Sequence, residues 1–525
     1  MTQTIRNIVR LLKSLLLVAI MNCFTFAQKS GGPFLDPREA NEHFEHHNYL
    51  TALRSYKELL KRDPDDIDYN YKVALCYLNT HLDKTQAIQY LEKITKKGKG
   101  DNEVWFYLGN AYQYANRFDD AIKAYSTFKE KAAKKDIQRA DRAIETCYNG
   151  KQFVKFPLNV TFENLGKDVN SEFSDYYPFA TQNESFLVFT SRRKGGKSNV
   201  LEMDGLYPSD IYVTTIKDGN WIKATNIGGP VNTPFDEQTV GLSPDGSSMT
   251  VYIDHIDSLG NIYISNYLNG KFQKLSKLNN NVNSGFETSG CVSDNGQIIF
   301  FASERSGGLG GTDLYMAKKL PNGQWAIPQN LGKTINTQYN EDFPHFSEDG
   351  QTLYFASQGH SSMGGFDIFK SVYNSENNTW TEPKNLGYPI NTSDDNYTIS
   401  FTEKERSAYV SISREGGMGD LDIWRMRFND SDQRYTLVSG YVNSSDSLAP
   451  KNDLLITAIN LSTKEEFRFT PIPKSGKFVM ALEPGRYSVS VEGKGFSTLT
   501  ENITILDKGS FQPEIRKNFL LIKTP

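Results

Sequence analysis

The densest glycine run of this 525-residue sequence, SERSGGLGGTDLY at 303–315, has the composition of a loop that binds phosphate. Such loops open a helix and direct several backbone N–H groups at the anion. The run aligns with VFTSRRKGG, YFASQGHSSMGGFDIF and YVSISREGGMGDLDIW as an apolar strand, a polar turn, glycines and a strand that begins with Asp. Because a strand follows the glycines, the pattern predicts a hairpin connection with positive-φ positions instead of a nucleotide site.

One arginine occupies the same place beside the glycines in three of the aligned segments, and the fourth segment has Gly359 there. These arginines are Arg193, Arg305 and Arg414. Recurrence at a fixed position predicts that they lie on one rim of a repeated fold. Two interpretations stay open. The first is a structural salt bridge to a recurring aspartate or to a glutamate of a neighbouring unit. The second is a basic ring that binds an anionic or peptide ligand.

Two further landmarks recur at about 50 residues, a spacing typical of propeller units. One is a Val/Ile-Asn pair, found in NLGKDVNS, NIGGPVNT, LNNNVNS, NLGKTINT and NLGYPINT. The other is an aspartate at the start of the strand after the glycines, replaced by Asn261 in one unit. These aspartates are predicted to be turn residues at strand starts and not catalytic acids. They are Asp210, Asp313, Asp367 and Asp422.

The period, with four short strands per unit, predicts a β-propeller over residues 156–435. Five units are found, and the longer first interval leaves room for a sixth. The strand in FPLNVTFENLG is expected to complete the last blade and close the ring. The repeats resemble the WD-type propeller repeats of periplasmic proteins, which are distantly related to those of TolB.

Residues 28–155 show helical periodicity instead. The segment WFYLGNAYQYANRFDDAIKAY resembles the tetratricopeptide repeat, and two weaker units precede it. The resemblance rests on Trp105, Leu108, Gly109, Tyr112 and Ala121. The small residues let two antiparallel helices approach, and the aromatic side chains fill the space beside them. The resemblance implies a helical solenoid whose groove receives a peptide or another protein.

Residues 436–525 alternate apolar and polar residues over short segments, which predicts a small β domain. SGKF and LEPGRYSVSVEGKGF resemble the carboxypeptidase-regulatory-like, transthyretin-like sandwich. The resemblance implies an accessory spacer or adhesive module without catalytic machinery. The predicted fold class of the chain is therefore an α-helical solenoid, then a propeller of five or six blades, then a β-sandwich.

Residues 1–27 have the build of a secretory signal peptide, with basic residues, an apolar stretch and the small-residue cleavage site TFA. A lipoprotein signal ending at Cys23 and an uncleaved anchor are the alternatives. The apolar stretch is short for a membrane span, and no later span is found. The mature chain is therefore expected in the periplasm, with association to the outer membrane as a further expectation.

Charge and histidine patterns disfavour several other functions. The formal net charge of −4 gives no basis for non-specific binding to nucleic acid or to an anionic membrane. HFEHH at 43–47 lacks the H-E-x-x-H pattern, so a surface cluster is favoured over a metal site. The sequence has no G-x-S-x-G nucleophile motif. We expect no cofactor, no metal and no enzymatic activity, and a propeller hydrolase is the least favoured alternative.

The order of these modules resembles the PorE-type proteins of the type IX secretion system. Those proteins usually continue into an OmpA-like domain that grips peptidoglycan, whereas this sequence stops after the sandwich segment. Peptidoglycan anchoring is therefore not carried over from the resemblance.

Together these features predict a non-catalytic periplasmic scaffold. It is expected to bind other envelope proteins through the helical groove and one propeller face, in secretion or in outer-membrane assembly. An alternative from another class is a sensor or carrier that holds a small anionic or glycan ligand at the propeller mouth.

Overall fold

The computed structural model describes residues 36–255, 258–347, 350–402, 406–429, 435–445, 453–506 and 514–524. The predicted signal peptide at 1–27, with the alternative lipoprotein residue Cys23, lies outside these ranges. Among the described residues, no helix combines the length and the apolar character that a membrane crossing requires.

Seven α-helices form the N-terminal part of the described chain. They are α1 (Pro37–Glu45), α2 (Tyr49–Arg62), α3 (Ile67–Leu78), α4 (Ala87–Lys96), α5 (Glu103–Tyr114), α6 (Phe118–Glu130) and α7 (Lys134–Phe153). Short polar side chains begin several of them; for example, the Asp66 carboxylate accepts the Tyr69 N–H at 2.7 Å. Such caps satisfy backbone donors that have no partner within the helix.

The packing of α5 against α6 explains the spacing of the repeat motif. A Cβ at Gly109 would lie 2.4 Å from the Tyr125 ring, so the two helices approach as closely as they do only because this position is glycine. Ala121 is fully buried on the facing helix. The remaining motif residues, Trp105, Leu108 and Tyr112, pack in or against the core.

Strand β1 (Val160–Asn164) follows the helices and belongs to the last of five antiparallel sheets. Sheet 1 comprises β2 (Asp175–Ala180), β3 (Phe186–Ser191), β4 (Asp210–Lys217), β5 (Asn220–Trp221) and β6 (Thr225–Asn226). Sheet 2 comprises β7 (Asp236–Leu242), β8 (Ser248–His255), β9 (Ser258–Leu268), β10 (Lys271–Phe272) and β11 (Ser276–Lys277).

Sheet 3 comprises β12 (Glu287–Val292), β13 (Ile298–Ser303), β14 (Asp313–Lys318) and β15 (Gln329–Asn330). Sheet 4 comprises β16 (Glu341–Phe346), β17 (Thr352–Ser357), β18 (Asp367–Asn374), β19 (Thr379–Trp380) and β20 (Lys384–Asn385). Sheet 5 comprises β21 (Ser400–Thr402), β22 (Ser407–Ile412) and β23 (Asp422–Phe428), and its outer strand is β1.

The pairing of β1 with β23 joins the two ends of this region. Val160 lies opposite Phe428 and Asn164 opposite Trp424, as predicted for the strand that closes the ring. Neighbouring sheets share buried apolar clusters, and Tyr409 of sheet 5 packs with Phe189 of sheet 1 in one of them. The last sheet therefore contacts the first, which is the arrangement of a β-propeller.

The recurring Val/Ile-Asn pair connects each sheet to the next. The Asn336 side chain accepts the Leu314 N–H at 2.8 Å and donates to the Leu314 carbonyl at 3.0 Å. Its counterparts make the same two bonds, as Asn170 does with Ile423, Asn232 with Ile211, Asn283 with Ile262 and Asn391 with Ile368. Each asparagine thus satisfies backbone groups that would otherwise be buried without partners.

The C-terminal region contains two four-stranded sheets. Its strands are β24 (Thr436–Ser444), β25 (Leu455–Asn460), β26 (Glu466–Phe469), β27 (Lys477–Leu482), β28 (Gly485–Glu492), β29 (Leu499–Ile505), β30 (Glu514–Arg516) and β31 (Phe519–Leu521). One sheet combines β24 with β27, β30 and β31, and the other combines the remaining four strands. Val438 of the first and Val489 of the second lie in one shared core.

Candidate functional site

The glycine-rich loop at 303–313 does collect backbone N–H groups around an anion, and the anion belongs to the chain itself. Asp313 accepts the N–H groups of Leu309 at 2.7 Å and Gly310 at 2.9 Å, and the Asn330 amide at 2.8 Å. Asp210, Asp367 and Asp422 likewise accept backbone N–H groups from their own loops. Each loop is therefore closed by its own aspartate at the start of the following strand.

Arg305 lies in a pocket that neutralises its charge. Its guanidinium donates to Glu287 Oε1 at 3.1 Å and to Ser303 Oγ at 2.9 Å. The group also lies over the Phe301 and Tyr315 rings, 4.8 and 5.0 Å from their centroids. Because Glu287 is fully buried, this ion pair is an internal structural contact.

Arg193 repeats this arrangement in sheet 1. It donates to Asp175 at 2.5 Å and to Ser191 at 2.7 Å, and it lies over the Tyr212 ring. The salt-bridge partner is neither a recurring aspartate nor a glutamate of a neighbouring unit, so the predicted partner is wrong. The acid is the first residue of the first strand in the same sheet, because that strand lies beside the strand that ends at the serine.

In sheet 4 a histidine takes the arginine's place, which the sequence alignment missed. His360, one residue after Gly359, has Nε2 2.8 Å from the Ile335 carbonyl and therefore donates to it. Arg305 donates to the equivalent carbonyl of Val282. The His360 ring lies against Phe355 and Phe369, and burial lowers its pKa to about 4.

Arg414 in sheet 5 is arranged differently from its two counterparts. Its guanidinium lies over the Phe162 ring, 3.9 Å from the centroid, and it makes no hydrogen bond or ion pair with the described residues. The residue is exposed. The three arginines therefore do not form one basic ring: two are neutralised internally, and Arg414 lies on the wall of a cleft.

That cleft, of about 860 Å³, separates the helical array from the propeller. The helices contribute loop and helix residues such as His81 and Tyr107, and the propeller contributes residues of sheets 1 and 5 such as Ser413. Seven tyrosines line it: Tyr49, Tyr107, Tyr114, Tyr176, Tyr177, Tyr388 and Tyr397. The helical groove and the propeller face that the sequence predicted as contact surfaces thus border one space.

Tyr177 and Tyr397 line the cleft at the propeller mouth, and the Phe343 ring packs against both. The Tyr177 ring lies 4.6 Å from that of Phe343, which lies 5.5 Å from that of Tyr397. Tyr177 and Phe343 have φ values of 52° and 47° at irregularities in their strands. Such conformations are costly for aromatic residues and are held by the surrounding packing.

Two ion pairs and one hydrogen bond engage other charged groups of the cleft. Lys84 of the helical array lies 2.7 Å from Asp394 of the propeller, and this ion pair crosses between the two domains. Arg192 lies 2.6 Å from Asp204. Asp420 accepts the hydroxyl hydrogen of Ser174.

Helix α7 fixes the helical array against the loop of sheet 4. Arg142 donates to the carbonyls of Gln358 at 2.5 Å and Gly359 at 2.8 Å, and Asn149 donates to the Ser362 carbonyl at 2.8 Å. These bonds are made to backbone atoms at largely buried positions, so they hold the two walls of the cleft at a set separation.

The histidine cluster of α1 lies at the surface, with His46 and His47 exposed. Among the described residues, no group of three or more His, Cys, Asp or Glu side chains is placed to hold a metal ion. His47 stacks on Tyr49 with ring centroids 5.6 Å apart, at the edge of the cleft.

Comparison with known proteins identifies the helical part. Residues 38–102 and 80–136 match the model of the tetratricopeptide repeat. The helical array is a tetratricopeptide-repeat domain. No curated protein matches the chain.

Among solved structures, the chain is similar to TolB from Acinetobacter baumannii, with 13% identity, 56% of this chain and 71% of that chain covered, and a TM-score of 0.33. It is also similar to an endo-arabinase from Bacteroides thetaiotaomicron VPI-5482, with 15% identity, 50% and 99% covered, and a TM-score of 0.33.

Proposed function

We propose that the protein is a non-catalytic scaffold that binds an extended segment of another cell-envelope protein in the cleft between the tetratricopeptide-repeat domain and the propeller. The observation that carries this proposal is the shared construction of the cleft. Its walls come from both domains, and the Lys84–Asp394 ion pair and the bonds of α7 to the sheet 4 loop join them.

The lining suits a polypeptide. Tyrosine rings supply a large contact area and a hydroxyl at a low cost in side-chain entropy, which is why they are common where proteins recognise peptides. A volume of about 860 Å³ accepts several residues of an extended chain. Tetratricopeptide arrays have no chemistry of their own, so binding is the role that such an array supplies.

We also propose that the protein does not catalyse a reaction. The recurring aspartates are the acids that the sequence repeats most often, and each is engaged by backbone N–H groups of its own loop. A general acid or base needs a carboxyl group that reaches the substrate. The repeated acids are therefore assigned to the architecture.

The cellular setting is also part of the proposal. The signal-peptide pattern at 1–27 supports export to the periplasm, and the module order supports a component of a type IX secretion system or of another outer-membrane-associated assembly. Five propeller blades and a carboxypeptidase-regulatory-like sandwich, with domains at 28–155, 156–435 and 436–525, complete the proposed organisation.

A second candidate is a carrier of a small anionic or glycan ligand at the propeller mouth. The rings of Tyr177 and Tyr397 in the cleft, with Phe343 packed against them, favour it, because sugar rings and aromatic rings present complementary apolar faces. Binding of soluble glycans that is lost on Tyr397→Ala, without capture of a protein at the cleft, would favour this candidate over the scaffold.

Photo-crosslinking in the native cells tests the scaffold. A photoreactive phenylalanine analogue is placed at His81 on the helical wall or at Ser413 on the propeller wall. Matched controls carry it at Leu268 or Ile327, which are 57% and 81% exposed and do not line the cleft. Both cleft positions should capture the same protein, and the controls should not. Capture of that protein equally from all four positions would contradict the proposal.

A further inference from the structure

In sheet 5 the residues that neutralise the repeated arginine are replaced by others. Strand register places Val410 opposite Trp424 and Ile412 opposite Asp422, which are the places held in sheet 3 by Phe301 and Ser303. One of the two aromatic rings that hold Arg305, and the serine hydroxyl, have thus been replaced by aliphatic side chains, while Trp424 stands in the place of Tyr315.

The acid has been replaced as well. Thr337 donates its N–H to Glu341 four residues later, and Thr392 donates in the same way to Asn396. Asn396 therefore stands where sheets 1, 3 and 4 have an acid. An amide carries no charge, so nothing at this position neutralises an arginine.

Arg414 is consequently held by stacking alone. The Phe162 ring fixes one face of the guanidinium, while its N–H groups make no hydrogen bond to the described residues. Partial burial lowers the pKa of Arg414, as expected for a cation that has lost water without gaining an anion. Its neighbours in the wall are Ser411, Ser413 and Tyr388, which are polar and uncharged.

We propose that Arg414 binds a carboxylate of the partner segment that occupies the cleft, and so sets the specificity of the scaffold. This inference rests on the proposed function. The planar guanidinium presents parallel N–H groups that match the two oxygens of a carboxylate. The carboxylate comes from an Asp or Glu side chain of the segment or from its C-terminus.

The surrounding charges favour a carboxylate over a phosphate. Asp395 and Asp420 also line the cleft and make no ion pair with a described residue, whereas Asp394 is paired with Lys84. A doubly charged phosphate group would meet stronger repulsion from these acids than a singly charged carboxylate. The same acids disfavour a polyanionic surface, so the recognised group is one carboxylate within an otherwise neutral segment.

The test begins with twelve-residue peptides selected from a random display library on the full mature chain. Counter-selection on His81→Trp, which fills the cleft from the helical wall, removes peptides that bind elsewhere. The selected peptide is then synthesised in three forms: as selected, with its acidic side chains changed to amides, and with an amidated C-terminus. Dissociation constants are measured for the wild type and for Arg414→Gln, Arg414→Lys and Arg427→Gln.

Arg414→Gln should weaken binding of the selected peptide at least tenfold, the usual effect of losing a charged hydrogen-bonded pair. Arg414→Lys should retain part of the affinity because it keeps the charge. Arg427→Gln removes a cation of the same sheet outside the cleft and should match the wild type. If the peptide with side-chain amides binds wild type and Arg414→Gln equally, the carboxylate is an acidic side chain. If the peptide with an amidated C-terminus does so, the carboxylate is the C-terminus.

Cleft-specific peptides that bind wild type and Arg414→Gln equally would overturn the inference and leave the scaffold proposal intact. Phosphopeptides that bind more tightly than their carboxylate counterparts, and depend on Arg414, would also overturn it. Failure to select any peptide that His81→Trp excludes would contradict the scaffold proposal itself, and the inference with it.

Discussion

Arg305 and Arg414 hold the same place in the propeller repeat and have different surroundings. Arg305 is enclosed by an acid, a serine and two aromatic rings, whereas Arg414 keeps one ring, supplied by Phe162 of the closing strand. A repeated residue therefore has no fixed role: its partners in the neighbouring strands decide whether its charge serves the fold or faces a ligand.

Two of the departures from the repeat lie next to the helical domain. Sheet 4 has lost its arginine and receives the α7 side chains at that loop, and sheet 5 has lost the acid and lines the cleft. Sheet 3, which keeps the full pocket, does not line the cleft, and its loop is not the one that α7 contacts. Sheet 1 keeps its full pocket and also lines the cleft, so contact with the helical domain does not by itself require the repeat to diverge.

The largest expected effect comes from removing the enclosed arginine. Arg305→Met leaves the fully buried Glu287 without its cation, and loss of one partner of a buried pair costs about 3–5 kcal/mol. Denaturant unfolding followed by tryptophan fluorescence measures this change in the free energy of unfolding. The double variant Arg305→Met/Glu287→Gln should recover part of the lost stability. Arg427→Met, which removes an exposed pair with Glu163, should cost less than about 1 kcal/mol. Equal losses of stability in Arg305→Met and Arg427→Met would contradict the assignment of Arg305 to a buried, structural ion pair.

A second prediction compares the acid position in sheets 2 and 3. Burial, with nearby Asp210 and Asp236, raises the pKa of Glu237 from 4.5 to about 7. The folded state then holds a proton that the unfolded state releases, so stability falls as the pH rises from 4.5 to 7, by about 3 kcal/mol in all.

Glu237→Gln should therefore stabilise the protein at pH 8 and have little effect near pH 4.5. Glu287→Gln should destabilise it at pH 8, because it leaves Arg305 buried without an anion. Unfolding free energies at the two pH values check both. If both variants change the unfolding free energy in the same direction at pH 8, Glu237 and Glu287 do not have the different roles that we assign to them.

A smaller effect is expected from two glycines of one loop. A Cβ at Gly310 would lie 1.7 Å from the carbonyl oxygen of Tyr339, in the loop that leads into sheet 4. Because this oxygen belongs to the backbone, it cannot move aside easily, and Gly310→Ala should cost about 2–3 kcal/mol. Gly307 has φ of +93° and open space around it, so Gly307→Ala should cost about 1 kcal/mol. The reverse order, measured by denaturant unfolding, would contradict the contact between sheets 3 and 4.

Much of the fold could be predicted from the sequence because its repeats have local causes. The helical motif requires glycine at 109 for contact with Tyr125, and the Val/Ile-Asn pair requires asparagine for its two backbone bonds. Such requirements recur with the repeat and can be recognised in one sequence. The strand that closes the ring was found because an apolar segment preceded the first unit.

The site was less accessible to sequence reasoning. The docking of α7 on the sheet 4 loop depends on contacts between residues more than 200 positions apart. His360 was missed because it lies one residue beyond the aligned arginine position. A signal for Arg414 was present in the sequence, because NTSDDN has asparagine where INTQYNE has an acid. Only the strand register of sheets 1 and 3 shows that the acid at this position faces the arginine.

The most direct test of the central comparison measures stability and peptide binding on the same two variants, Arg305→Gln and Arg414→Gln. The two variants should have opposite effects. Arg305→Gln should lose about 3 kcal/mol of stability while the folded fraction binds the cleft-selected peptide as the wild type does. Arg414→Gln should keep its stability within about 0.5 kcal/mol and lose at least tenfold in peptide affinity. Equal loss of stability in both variants, with no change in peptide affinity, would contradict it.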